Sequence, residues 1–296
     1  MKILLLGKHG QVGRELQTSL APLGELIALG RQECDLEDSA HLELVLQQHA
    51  PDIIVNAAAY TAVDKAESDE ITARKVNALA VHILANYARA NNILLVHYST
   101  DYVFDGKKPE PYTEQDQTNP QSAYGRTKRE GEEAILRSGC QALIFRSSWV
   151  FSANGDNFIK TIMRLSRERD HLSIVADQIG APTSAELIAD ISAQAIIAWQ
   201  KGMLPAGIYH LAASGETSWH GFAVHIVERL QTNGLALNML LQDIKPIATE
   251  EYPTLAQRPM NSCLNTGMLA AALGTEIPQW KGDVDRVIDQ SVKASL

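Results

Sequence analysis

The sequence is poor in cysteine: Cys34, Cys140 and Cys263 stand far apart and form no Cys-x-x-Cys pair. That excludes a disulfide framework and a thiolate zinc site, and it favours a reducing compartment. Basic residues are in deficit, 26 Lys and Arg against 35 Asp and Glu, for a net charge of −9. A general nucleic-acid or anionic-membrane surface is thereby disfavoured, although a local basic pocket is not. Long hydrophobic runs are missing too, since no stretch approaches the ~18 apolar residues of a membrane span. The apolar start, residues 1–7, is too short for a signal peptide. A cytoplasmic protein is expected. Internal repeats and low-complexity segments are also lacking.

What is present is ordinary globular material, 45% hydrophobic and 21% charged over 296 residues, enough for one large or two modest domains. Residues 2–6 form a short apolar run of the kind that makes a buried parallel strand. It leads into Gly7-x-x-Gly10-x-x-Gly13, with Gln11 and Val12 opening a helix that runs to about residue 20. A strand, a glycine-rich turn and a helix offer backbone N–H groups at a helix N-terminus, a setting that favours a pyrophosphate. The glycine spacing differs from the usual dinucleotide fingerprint, so a simple tight turn between strand and helix is the alternative.

A second strand, 25–29, ends at Gly30-Arg31, where dinucleotide folds meet the adenosine ribose. An arginine there without an adjacent carboxylate favours NADPH over NADH; an arginine snorkelling at a strand end is the alternative. Asp35 and Leu36 precede a helix over 39–49, with Asp35 placed to face an adenine. Residues 52–61 give a third strand and its loop. The small side chains of Ala57, Ala58 and Ala59, followed by Tyr60 and Thr61, suggest close backbone approach by a ligand or by packing. A long helix is predicted over 72–91, then a fourth strand over 93–98 that ends in Tyr98 and delivers Ser99-Thr100. The β-α-β-α-β-α-β order predicts an α/β fold, a Rossmann-like doubly wound parallel sheet. Further strands are expected at 142–146, 172–175 and 207–211, and helices at 157–169 and 183–199. Beyond Ser218, Pro246, Pro253, Pro259 and Pro278 are expected to break the chain into short pieces, a smaller and mixed C-terminal part.

Tyr124 and Lys128, four residues apart, project from one face of a helix that begins at Ser122 or Ala123. A nearby ammonium favours a phenolate and is expected to bring the Tyr124 pKa closer to the working range, which suits acid–base work on a carbonyl or alcohol oxygen. Taken alone, such a pair equally describes a solvated helix face. Its company, Ser99-Thr100 at a strand end where open parallel sheets bind ligands, raises the functional reading.

Together these segments, with Asn56-Ala57-Ala58-Ala59, Ser99-Thr100-Asp101-Tyr102-Val103-Phe104, Arg146-Ser147-Ser148-Trp149-Val150, Asn157-Phe158, Asp177-Gln178-Ile179-Gly180-Ala181-Pro182-Thr183 and Arg258-Pro259-x-Asn261-Ser262, resemble the extended short-chain dehydrogenase/reductase family across nearly the whole chain. The resemblance implies a nicotinamide cofactor, NADPH with NADH as a second possibility, held by Gly7, Gly10, Gln11, Val12, Gly13, Arg31, Asp35 and Leu36. The same cofactor would be lined by Ala57, Ala58, Ala59, Tyr60, Thr61 and Tyr98. Lys128 would bond its ribose and tune Tyr124. Tyr124 would give a proton to a sugar C4 oxygen that Thr100 also hydrogen-bonds. Asp101 and Trp149 would contact the sugar, and Asn157 and Arg258 the nucleotide diphosphate, with a structural ion pair as the alternative for Arg258.

Dehydratases of this superfamily follow the aspartate with a glutamate. Here Tyr102 follows Asp101, so the resemblance favours reduction of a 4-keto nucleotide sugar. An epimerase, another reductase of that class and a non-catalytic regulatory subunit remain as alternatives. The resemblance divides the chain into a cofactor domain, 1–155 and 183–215, and a sugar-nucleotide domain, 156–182 and 216–296. It further implies a homodimer with magnesium at its interface, held by Glu15 and Glu186. Gln290 stands where a third carboxylate is expected, which weakens a site for a hard cation; two surface glutamates are the alternative.

Overall fold

The computed structural model describes residues 1–293; the last three residues of the expected sugar-nucleotide domain, 294–296, lie outside the described residues. Among the described residues twelve strands follow in chain order: β1 (Lys2–Leu6), β2 (Glu25–Leu29), β3 (Ile53–Asn56), β4 (Leu94–Thr100), β5 (Ala142–Ser147), β6 (Val150–Phe151), β7 (Leu172–Val175), β8 (Ile179–Gly180), β9 (Thr183–Ser184), β10 (Gly207–His210), β11 (Thr217–Ser218) and β12 (Ile244–Ile247). Six of them form one sheet in the order β10-β5-β4-β3-β1-β2, and every pairing in it is parallel. This is the doubly wound α/β architecture that the strand–helix alternation predicts.

The sheet is buried on both faces, which explains why β3 and β5 read as continuous apolar runs rather than alternating ones. Ile3, Leu5, Val55, Val96 and Phe145 point to one face, where they meet Leu16, Ile188 and Ile196 of the helices Gln11–Leu20 and Ala185–Gln200. Leu4, Leu6, Ile54, Leu95 and Ile144 point to the other, against Leu42, Leu84 and Ile135 of the helices Ser39–His49, Ala80–Asn91 and Ala123–Ser138. The period-2 alternation of a strand thus supplies two separate cores. The first continues without a break into Phe222, Trp280, Val284 and Ile288 of the C-terminal helices Trp219–Thr232 and Trp280–Lys293.

Two expectations need correction. The predicted helix over 72–91 is not uniform: Glu70–Arg74 is α-helical, Lys75–Leu79 widens into a π-helical turn, and Ala80–Asn91 resumes the α-helix. The wide turn carries the buried Asn77, whose side chain accepts from Tyr60 N at 2.9 Å and donates to Tyr60 O at 3.1 Å. It packs so tightly on the next helix that a Cβ at Gly131 would lie 2.2 Å from Asn77 O. Pro246 does not break the chain but sits inside β12, which pairs in parallel with β7 alone. A proline is tolerated there because β12 is an edge strand. Among the described residues, no helix is long and apolar enough to cross a membrane.

Candidate active site

The carboxyl ends of β1, β3 and β4 open onto one continuous cavity of about 890 Å³. At its floor the turn after β1 runs back to back with the loop after β3. Gly7 has φ +88°, and a Cβ there would stand 2.7 Å from Ala58 N. Only glycine satisfies both the left-handed backbone and the contact. Gly13 does not line the cavity; a Cβ at Gly13 would lie 2.0 Å from Gly7 O, so its role is to seat the helix against the turn. Gly10 caps the helix Gln11–Leu20 with no side-chain hydrogen bond, which leaves first-turn N–H groups to a ligand. Gly10, Gln11 and Val12 line the cavity beside them. Both features fit a dinucleotide pyrophosphate.

The adenosine end departs from expectation. No carboxylate is next to Arg31 in sequence, yet folding brings two against it: Nε donates to Asp35 Oδ2 at 3.1 Å, and Nη2 pairs with Glu37. The turn at Gly30, whose carbonyl accepts from Glu33 N and Cys34 N, returns the chain toward the guanidinium; the pairing raises the Arg31 pKa, while Asp35, which burial would raise, is lowered by the Glu37 N–H and by Arg31. Arg31 is 73% exposed, and Asp35, Leu36 and Glu37 line the same end of the cavity. A 2′-phosphate would compete with two carboxylates for this guanidinium.

At the opposite end stands the helix Ala123–Ser138, begun by Ser122, whose side chain accepts from Gly125 N at 3.1 Å. A Cβ at Gly125 would lie 2.2 Å from Tyr102 O, so the glycine lets this first turn press onto the segment after β4. Tyr124, Lys128, Tyr98, Thr100, Asp101 and Tyr102 all reach the cavity. Thr100 Oγ1 donates to Asp101 Oδ1 at 3.0 Å and accepts from Tyr102 N at 3.2 Å. The Tyr102 and Tyr124 rings meet edge to face at 5.5 Å. Burial pushes Asp101 up to about 6, and its Oδ2 has no hydrogen-bond partner.

Here too one expectation reverses. Burial pushes the Tyr124 phenol well above its ordinary value, and the ammonium of Lys128 does not offset it. Lys128 Nζ instead points to the strand, donating to Tyr98 O at 2.5 Å and lying 3.3 Å from His97 Nε2. Desolvation brings Lys128 down to about 8, partly offset by Glu132. Tyr124 is therefore a fully protonated phenol at neutral pH, suited to give a proton rather than take one.

The support beneath these groups centres on Glu132, a residue to which no motif of the sequence assigns a role. Glu132, wholly buried, accepts from Arg146 Nε at 2.8 Å, from Arg146 Nη2 at 2.7 Å and from Ser99 Oγ at 2.6 Å. This joins β4, β5 and the Tyr124 helix. Tyr124, Lys128 and Glu132 follow one another at four-residue steps on one helix face, a spacing that could have drawn attention to the glutamate. Ser147 and Ser148, quoted above within a motif but given no role, line the cavity with hydroxyls that have no partner.

Of the expected substrate residues, Trp149 lines the cavity with φ +48°, rare for a bulky residue. Its ring stacks on Trp219 at 3.7 Å, and a Cβ at Gly180 would come within 2.6 Å of it. Asn157 is instead committed to structure: it caps the helix Phe158–Glu168 and donates to Ser152 O at 2.7 Å. Arg258 lies at the rim, donating to Tyr102 Oη at 3.1 Å and to Asp64 Oδ2 at 2.5 Å. Glu15 and Glu186 do come together, with Gln290, around a separate cavity of about 210 Å³. Glu186 is already paired with Arg286, and desolvation with the neighbouring Glu186 raises the Glu15 pKa. Among the described residues no three His, Cys, Asp or Glu side chains converge for a metal ion, and with Glu186 held by Arg286 this protomer supplies few free anionic oxygens for a hard cation.

The sequence profile described as the RmlD substrate binding domain matches residues 1–293. A dTDP-4-dehydrorhamnose reductase of Burkholderia thailandensis is 47% identical over 95% of this chain and 96% of its own. The crystal structure of a dTDP-4-dehydrorhamnose reductase from Clostridium acetobutylicum superposes with TM-score 0.89 at 37% identity, covering 98% of this chain and 99% of that one. A Bacillus anthracis dTDP-4-dehydrorhamnose reductase, crystallised in complex with NADP, gives TM-score 0.86 at 31% identity over 98% of this chain and 99% of its own.

Proposed function

Because this chain belongs to the RmlD substrate binding domain family, within the extended short-chain dehydrogenases/reductases, we propose that it reduces dTDP-4-dehydro-L-rhamnose to dTDP-L-rhamnose with NADPH, a cytoplasmic step toward surface polysaccharide. The observation that carries this reading is the gathering of Tyr124, Thr100 and Lys128 in the same cavity as the Gly7 turn. In this reading the first-turn N–H groups after Gly10 and the backbone around Ala57–Thr61 hold the dinucleotide, and Lys128 holds its nicotinamide ribose. When bound, the nicotinamide supplies a hydride to C4 of the sugar. Thr100 Oγ1 and Tyr124 Oη bind the C4 oxygen, and Tyr124, held protonated by burial, gives it a proton. Trp149 and Asp101 face the sugar, and Arg258 approaches the diphosphate from the rim. Residues 1–155 and 183–215 form the cofactor unit, and 156–182 and 216–296 the sugar-nucleotide unit.

Magnesium has no part in this reading. An epimerase on the same scaffold keeps its cofactor through the cycle, whereas a reductase consumes it. The test is loss of reduced-nicotinamide absorbance with dTDP-4-dehydro-L-rhamnose, against a panel of other 4-keto nucleotide sugars. Stoichiometric oxidation with formation of dTDP-L-rhamnose is expected. Turnover of the sugar without net oxidation would replace the reading with an epimerase; no turnover on any member would favour a regulatory subunit.

A further inference from the structure

Beneath the Tyr124 helix a buried run of polar groups leads to Lys128, and the proposed chemistry gives its Asn56 and His97 no role. Asn56 on β3 and His97 on β4 are register partners, and both are 1% exposed. Ala58 N donates to Asn56 Oδ1 at 3.2 Å, Asn56 Nδ2 lies 3.2 Å from His97 Nδ1, and His97 Nε2 lies 3.3 Å from Lys128 Nζ. Lys128 Nζ ends the run by donating to Tyr98 O.

The protons along this run can be counted. With Ala58 N–H on the Asn56 oxygen, the Asn56 NH₂ must face His97, so Nδ1 accepts and the single imidazole proton sits on Nε2. Nε2–H then points at Lys128 Nζ. An ammonium has only donors, so this setting is satisfied when Lys128 is a neutral amine whose lone pair accepts. The charged lysine needs the reverse order: Nζ–H donates to Nε2, Nδ1–H donates to the Asn56 oxygen, and Asn56 turns its amide over. In that second setting Ala58 N–H loses its acceptor within the protein, at the loop that lines the dinucleotide cavity. The two settings differ by one proton. Burial keeps His97 neutral, so the proton that changes is the lysine's.

We propose that Asn56 and His97 are positioning residues that couple the protonation of Lys128 to the occupancy of the cofactor loop. A ligand acceptor that takes up Ala58 N–H favours the setting in which Lys128 is an ammonium, and an ammonium at Lys128 favours the loop that offers Ala58 N–H. Linkage makes the effect reciprocal. Of the charged groups around Lys128, Glu132 on the same helix favours the ammonium and is itself neutralised by Arg146 from β5. Asp101, after β4, acts on Tyr124, and β3 contributes the uncharged Asn56.

The inference rests on the reductase reading for the identity of the dinucleotide, and the test keeps the two apart by using NADPH with no sugar substrate. Calorimetric titration at pH 8.5 in two buffers of different ionisation enthalpy reads binding and proton exchange separately. The expected result is binding with net proton uptake, abolished in Lys128→Met and at least about threefold smaller in His97→Leu, because the signal then lacks its transmitter. His97→Gln, whose amide offers one donor and one acceptor, restores most of the uptake. Absence of NADPH binding would overturn the reductase reading itself. Binding without proton uptake, or uptake in a folded His97→Leu equal to that of the unsubstituted protein, overturns the coupling alone.

Discussion

Arg258 and Asp64 meet across the cavity rim at 2.5 Å, although 194 positions separate them in the chain. Asp64 Oδ1 also accepts from Ala256 N at 3.1 Å, so the loop that carries the arginine is tied down twice at one carboxylate. A substrate diphosphate at the rim would compete with Asp64 for the guanidinium. Arg258→Met is expected to raise KM for the nucleotide sugar about tenfold, the worth of one charge-assisted hydrogen bond, while KM for NADPH stays unchanged. Asp64→Asn should lower the sugar KM or leave it unaltered. Steady-state kinetics with each substrate varied in turn decide it; a matching rise in both KM values for Arg258→Met would make the ion pair purely structural.

Tyr124→Phe removes one hydroxyl and keeps the ring that packs edge to face on Tyr102. Turnover is expected to fall by about a hundredfold or more with NADPH binding nearly intact, since a proton donor is lost and little else. An undiminished rate would rule out this phenol as the donor.

Lys128 makes a stability prediction with a definite sign. Its folded pKa is about 8 against an ordinary 10.5, because desolvation disfavours the ammonium. A depressed folded pKa contributes stability that is present above pH 10.5 and is lost as pH falls through about 8. At pH 7 the buried charge therefore costs free energy. Lys128→Met should be inactive yet more stable than the unsubstituted protein by about 2 kcal/mol at pH 7, the desolvation gain less the unpaired Tyr98 carbonyl. The difference should shrink as pH rises through 8 toward 10.5. Urea unfolding of both proteins at pH 7 and pH 9.5 measures it, and a less stable variant at pH 7 would contradict the assignment.

The two carboxylates against Arg31 set an expectation for cofactor choice. A guanidinium shared with Asp35 and Glu37 gives only part of its charge to a 2′-phosphate, so NADH should support turnover as well as NADPH does, within about tenfold in kcat/KM. Asp35→Asn should shift that ratio toward NADPH, and Arg31→Ala toward NADH. A strong NADPH preference that survives Arg31→Ala would place the selecting residue elsewhere.

The pairing of Glu186 with Arg286 gives an expectation about metal. Turnover and sedimentation should be the same with EDTA as with added magnesium, and the sedimentation coefficient also measures whether the expected homodimer forms. A loss of activity or of mass in EDTA would show a cation site that this pairing does not satisfy.

The alternation of apolar runs with amphipathic segments determined the parallel sheet and its flanking helices, because burying a strand on both faces demands that pattern whatever the sequence elsewhere. The glycine turn, Thr100 and the Tyr124–Lys128 spacing were legible for the same reason: each is a local requirement of backbone geometry or helical period. What only the tertiary structure decided were encounters between residues far apart in sequence and the desolvation they undergo. Asp35 and Glu37 fold back onto Arg31, Asn157 spends its side chain on a cap, and Arg258 finds Asp64. Lys128 turns to His97 and Tyr98 rather than toward the tyrosine one helical turn away, so burial and not the ammonium sets the state of the Tyr124 phenol. A pKa depends on everything within a few ångströms in space, and helical spacing reports only one of those neighbours.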